Sequence, residues 1–213
     1  MPATEDHGAP AERADARRNR QLLLDAAAVC VAERGLSVAA LDIAERAGVG
    51  VATLYRRFET KEALIEQILL DVFATLDAAG QRALENPDPW SGFVDFVTAI
   101  TEMTVQNSGL AEALESVSTP AAAAGQRKVR SLIRRLTQRA QSAGALRPDV
   151  SWTDVVFLPK SAASGSRCLG LVAGEQTPLR ILTLLLDGLR TPEPSPLPGT
   201  APAATAAASR RGA

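Results

Sequence analysis

Apolar residues recur along most of this chain at steps of three and four, the spacing that gathers them on one face of a helix. From about Ala16 to Arg34 the stripe is Leu23, Ala27, Cys30 and Val31. Gly35 follows as a stop, because glycine takes the left-handed backbone that ends a helix. Ser37 offers a side-chain cap for a short second helix to about Ala47, with Ile43, Ala44 and Ala47 inward. Gly48-Val49-Gly50 interrupts the chain, and a third short helix covers Val51 to Arg57. Thr60 caps a fourth, beginning at Lys61, whose stripe is Leu64, Ile68, Leu69, Val72 and Leu76.

After Glu85-Asn86-Pro87-Asp88-Pro89 the helical pattern restarts. Helices are predicted over Trp90–Gln106, near Leu110–Val117, over Gln126–Ala143, over Trp152–Leu171 and over Thr177–Leu189. Pro159 falls inside one of them and should kink it. No segment alternates with period two, so the expected fold class is all-α. Residues 1–15 and 191–213 lack periodicity and read as a disordered leader and tail. Between them, 16–62 reads as one domain and 63–190 as a second, helical one.

Composition narrows the function. Of 213 residues 46% are hydrophobic and only 4% aromatic, so the core must be mostly Ala, Leu, Val and Ile. The only histidine, His7, stands in the leader, which removes most histidine-based catalysis and most zinc sites. Cys30 and Cys168 match no ligand spacing and lie among apolar neighbours, as buried thiols do. An enzyme is therefore not expected, and no cofactor or metal is implied. No run of 18 apolar residues exists and the N-terminus is not that of a signal peptide, so no membrane span and a cytoplasmic location are expected.

Net charge is −1, so any nucleic-acid role must rest on local charge. Residues 16–61 hold eight basic and five acidic side chains, a net of +3. Within them Ala44 stands four residues before Gly48, and Leu54 six after it. That is the spacing of a helix-turn-helix: a small residue where two helices cross, a glycine for the turn, a buried aliphatic in the second helix. Val51, Ala52, Thr53, Tyr55, Arg56 and Arg57 would then face outward, where such a helix meets DNA. A tyrosine hydroxyl and two guanidinium forks suit phosphates and guanine edges. Lys61 begins the next helix, and Arg17, Arg18 and Arg20 are either a basic arm reaching phosphate, with Arg18 the DNA-binding candidate, or a solvated helix start. The six basic residues between Arg127 and Arg139 flank an apolar stripe and read as a solvated outer face.

The pieces "AERG", "IAERAGV", "TLYRRF" and "KEAL" stand in order across residues 17–70. This stretch resembles the N-terminal domain of the TetR family of bacterial transcriptional regulators. The segments "GLAEAL" and "AGALRPDVSWTDV" resemble the C-terminal domain of one actinobacterial-type branch. The resemblance implies a homodimeric repressor on a double-stranded palindromic operator, with a C-terminal domain that binds a small-molecule effector and dimerises. It implies base reading by Val51, Ala52 and Thr53, phosphate contacts by Tyr55 and Lys61, and either role for Arg56. Three positions depart from the family pattern. Arg57 stands where histidine is usual, Gly50 where serine often caps the reading helix, and Ala39 where threonine commonly starts the helix before it. Few hydrogen bonds to bases remain possible, so DNA shape should carry much of the specificity. Phe93, Phe96, Met103, Trp152 and Phe157 are the candidate effector pocket. The rival function is a helical ligand-binding or interaction module with weakened DNA binding.

Overall fold

The computed structural model describes residues 8–107, 119–163, 165, 167–190 and 193–203. Its helices are α1 (Gly8–Arg34), α2 (Ala40–Arg46), α3 (Val51–Phe58), α4 (Lys61–Glu85), α5 (Pro89–Gln106), α6 (Pro120–Ser142), α7 (Trp152–Ala162) and α8 (Thr177–Gly188). The fold is all-α, as the periodicity predicts. The helix expected near Leu110–Val117 lies outside the described residues. The chain divides into two compact units, 1–72 with 106–123, and 73–105 with 124–213. The division along α4 falls after Val72.

In the first unit α1 begins at Gly8, inside the stretch read as a leader. Leu23, Leu24, Ala27, Cys30 and Val31 form its buried face. Gly35 at φ +69° ends it and opens a short 3-10 turn, Gly35–Ser37. Ser37 does not cap α2. Its hydroxyl turns back to the Arg34 carbonyl, 3.1 Å away, and α2 starts two residues later than expected, at Ala40. α2 buries Ile43 and Ala44 completely. Gly48 then adopts φ +69° with nothing within 4 Å of where a side chain would point. Glycine is required there by the backbone angle and not by space. Leu54 and Phe58 bury the inner face of α3. At the α3–α4 junction Glu59 has φ 49°, and the Thr60 N–H donates to the Phe58 carbonyl across it. Thr60 caps α4 through the Ala63 N–H at 3.0 Å, as expected.

The second unit packs α5, α6, α7 and α8 with the later part of α4. Phe93, Phe96, Val97, Leu132, Ile133, Leu136, Val155 and Leu182 are its interior. Asp88 starts α5, accepting from the Trp90 and Ser91 N–H groups at 3.2 Å each. A side chain on Gly92 would fall on the Ala83 carbonyl oxygen, so glycine lets these two segments touch. Ser151 and Asp154 form a reciprocal capping box at the start of α7.

α7 stops at Ala162, not near Leu171. A hairpin follows, pairing Arg167 with Val172 and Cys168 with Leu171. Leu169 (φ 48°) and Gly170 (φ 81°) form its two-residue turn, and two successive positive φ angles are the hairpin geometry that a helix excludes. Cys168 is consequently exposed, against the expectation of burial, while Cys30 is buried. Residues 193–203 run without helix or strand, and the Ser195 carbonyl accepts from Arg147 Nη2 at 2.6 Å.

Candidate nucleic-acid interface

The α2–turn–α3 segment is built from inside outward. Ala44 lets α3 come close to α2, the Gly48 angle redirects the chain, and Leu54 seats α3. Eight residues at helical pitch then leave the opposite side free. Val51, Ala52, Tyr55, Arg56 and Arg57 are exposed there and Thr53 is half-buried. The Arg56 guanidinium reaches Thr53 Oγ1 only at a long 3.5 Å, so it remains available to a ligand. α3 carries no acidic residue, and Arg56 and Arg57 fill its last turn. The outward side is thus apolar at its start and cationic at its end. Phosphates suit the cationic end, and a thymine methyl suits Val51 or Ala52.

Neither α2 nor α3 has a side-chain cap. Ala39 and Gly50 hold the extended cap conformation without a side-chain bond. Longer-range contacts hold the segment instead. Arg46 makes a bidentate pair with Glu33 of α1 at 2.6 and 3.0 Å. The Arg46 hydrogen bond holds the Glu33 carboxyl below its ordinary range, and Glu33 in turn raises Arg46. Arg34 reaches Asp42 at 2.9 Å. The Arg20 guanidinium lies over the Phe58 ring, 5.3 Å from its centre.

Arg18 is exposed on α1. Lys61, at the start of α4, is half-buried. Its Nζ is part-buried and donates to the carbonyls of Leu36 and Val38 at 2.9 and 3.1 Å. Sequence reasoning missed this pairing, and it missed Arg20 on Phe58 and Arg46 on Glu33. No local signal could have revealed bonds between residues so far apart along the chain.

Of the five pocket candidates in the second unit, Phe93 and Phe96 are buried in its core. The Trp90 and Phe93 rings sit 5.5 Å apart. Trp152 is half-buried against the same core, and Met103 is half-buried. Phe157 is 53% exposed. None of the five lines the groove of about 510 Å³ that Val150, Asp154, Val155, Leu158, Leu189 and residues 196–201 form. In α6, Arg127, Lys128, Arg134 and Arg135 are exposed, whereas Arg130 is half-buried and Arg139, also half-buried, donates inward to the carbonyls of Ala83 and Asn86.

Fold and site together define a helix-turn-helix protein with a separate helical unit. Residues 23–68 match the family model for bacterial regulatory proteins of the tetR family. Residues 88–191 match the model for the C-terminal domain of SbtR-like transcriptional regulators. Solved structures agree. The TetR transcriptional regulator SCO0520 from Streptomyces coelicolor is 30% identical, with a TM-score of 0.60 over 82% of this chain and 99% of that one. A TetR regulatory protein from Mycobacterium vanbaalenii is 29% identical, with a TM-score of 0.59 over 84% and 99%. The ketosteroid transcriptional regulator KstR2 of Mycobacterium tuberculosis, at 21% identity and a TM-score of 0.66 over 81% and 95%, shares the fold. No curated protein matches the chain. This chain belongs to the TetR family of bacterial transcriptional regulators. No helix among the described residues is long and apolar enough to cross a membrane.

Proposed function

We propose that the protein is a cytoplasmic, homodimeric repressor that reads a palindromic DNA operator and leaves it when a small molecule binds the second unit. The observation that carries the DNA reading is the outward side of α3: Val51, Ala52, Tyr55, Arg56 and Arg57 exposed beside a fully buried Leu54. Two copies related by a two-fold axis would set two such helices in successive major grooves. Val51, Ala52 and Thr53 read bases, while Tyr55, Arg57 and Arg18 hold phosphates and Arg56 does either. With two of the three base readers apolar, groove shape supplies much of the selectivity. Exposed Phe157, Ile181 and Leu184 on α7 and α8 support dimerisation, since they offer an apolar surface to a second copy. For the effector, Trp152 and Met103 are half-buried and keep surface with which to meet a ligand. A ligand that prefers one conformer of the dimer shifts the population away from the DNA-binding one.

The test is selection of duplexes from a random pool by the full-length chain, repeated at rising salt. An enriched palindrome is expected, bound with an affinity that falls steeply as salt increases. Tyr55→Phe and Arg56→Gln should weaken binding to it, and Gln138→Ala, an exposed change on α6, should not. The uncapped starts of α2 and α3 favour a second reading, a helical module with weakened DNA binding. An unselective pool, with equal behaviour of all three variants, would establish that reading.

A further inference from the structure

We infer that Lys61 is a positioning residue of the reading head, a latch that fastens the start of α4 to the turn between α1 and α2, and not one of its phosphate contacts. Its effect on affinity rests on the DNA-reading proposal, whereas its geometry does not. The ammonium has three donors and no acceptor. Two are engaged by the carbonyls of Leu36 and Val38, in a part-buried setting. Those carbonyls lie at the end of the Gly35–Ser37 turn, where helical carbonyls run out of partners along the chain. A cation is favoured there. On its own helix the same cation is badly placed, because Lys61 is the first residue of α4 and the N-terminal end of a helix repels positive charge. A lysine at this position needs a compensating acceptor, and the two carbonyls supply it without any ligand.

The latch matters because of what it holds. Residues 36–39 lead directly into α2, and Ala39 offers no side chain to fix where α2 begins. Val38 is buried, with its carbonyl turned to Lys61. α2 in turn packs on α1 and on α3. Releasing the turn loosens α2, and with it the support of the reading helix. Lys61 therefore acts on DNA affinity through protein geometry.

A phosphate contact and a latch differ in their salt dependence. Each phosphate neutralised contributes about 0.9 to the slope of log affinity against log salt. Full-length Lys61→Met is compared with Arg57→Gln on a duplex selected by the unmodified chain. Lys61→Met should bind about tenfold more weakly, on the scale of one lost positioning interaction, with the slope of the unmodified protein. Arg57→Gln should lower the slope by about one. Without DNA, backbone amides of residues 36–46 should exchange with solvent faster in Lys61→Met and at the unmodified rate in Arg57→Gln. A slope reduced by about one in Lys61→Met, or unchanged exchange in 36–46, overturns the latch. Lys61→Gln, which keeps a donor on a shorter stem, should exchange at an intermediate rate, and it decides the question if the methionine variant does not fold. If the unmodified chain selects no duplex, the DNA-reading proposal fails while the exchange measurement still judges the latch.

Discussion

Both units bury an apolar core, and they differ in what braces its margins. In the first, polar bonds between separate elements brace the helix-turn-helix: Arg46 to Glu33, Arg34 to Asp42, and Lys61 to two backbone carbonyls. In the second, Phe93, Phe96, Leu132 and Leu136 are buried almost completely, the buried polar side chains among the described residues are threonines, and one half-buried cation, Arg139 of α6, donates to the carbonyls of Ala83 and Asn86. Thr101 and Thr137 bond, among the described residues, to the carbonyl four residues back in their own helices. The first unit must leave one whole side of α3 uncovered, and a helix of eight residues has little other surface with which to pack. Directional bonds at its margins supplement the buried Leu23, Ile43, Leu54 and Leu64. The second unit has no such restriction and is stabilised mainly by close packing.

The contrast can be broken most forcefully in the apolar core. Phe96→Ala should cost about 4 kcal/mol of stability, the range for removing a buried aromatic ring, read from denaturant unfolding. A cost near that of a surface substitution would mean that the second unit is not held by packing. Gly92→Ala comes next. Its new methyl meets a backbone carbonyl that cannot rotate away, so a loss of about 1–3 kcal/mol is expected, and Gly188→Ala on the open side of α8 should cost far less.

In the braced unit the effects are smaller and depend on the medium. Arg46→Met should lower the urea midpoint slightly, and the difference should shrink as salt rises, because both partners of its ion pair are substantially exposed. An effect unaltered by salt would instead assign Arg46 a packing role. The smallest effect concerns Asp88, whose carboxyl the Ser91 hydroxyl holds below its ordinary range. A depressed folded-state value stabilises the protein above the ordinary aspartate value of about 3.9 and loses that stabilisation as pH falls through the folded value. The stability difference between the unmodified protein and Asp88→Asn should therefore narrow in acid. A difference constant from neutral pH to pH 3 would show that the cap acts by hydrogen bonding alone.

Much of the helix-turn-helix was legible in advance because its determinants are local. Ala44, Gly48 and Leu54 lie within eleven residues of one another, and helical pitch alone sends Leu54 inward and Tyr55, Arg56 and Arg57 outward. The second unit was legible as helices but not as a site. Periodicity marks a residue as apolar-facing without saying whether it meets a core, a groove or solvent. Phe93 and Phe96 went to the core while Phe157 on α7 stayed outside, though all three are apolar residues in predicted helices. The hairpin after α7 was hidden for a related reason. Cys168, Leu169 and Leu171 fall within the helix expected over Trp152–Leu171, and only the paired positive φ angles at Leu169 and Gly170 reveal a turn.

What the order of residues determined is everything that a helix decides within a few turns: the all-α class, α3 and its outward residues, and the cap at Thr60. Tertiary structure decided which charges remain free. Lys61 and Arg57 are both cations close to α3, and nothing in their neighbours along the chain separates them. Folding brings carbonyls 23 and 25 residues away onto Lys61 and leaves Arg57 in solvent. Charge is a property of the side chain alone, but its availability depends on which distant backbone groups the fold places beside it.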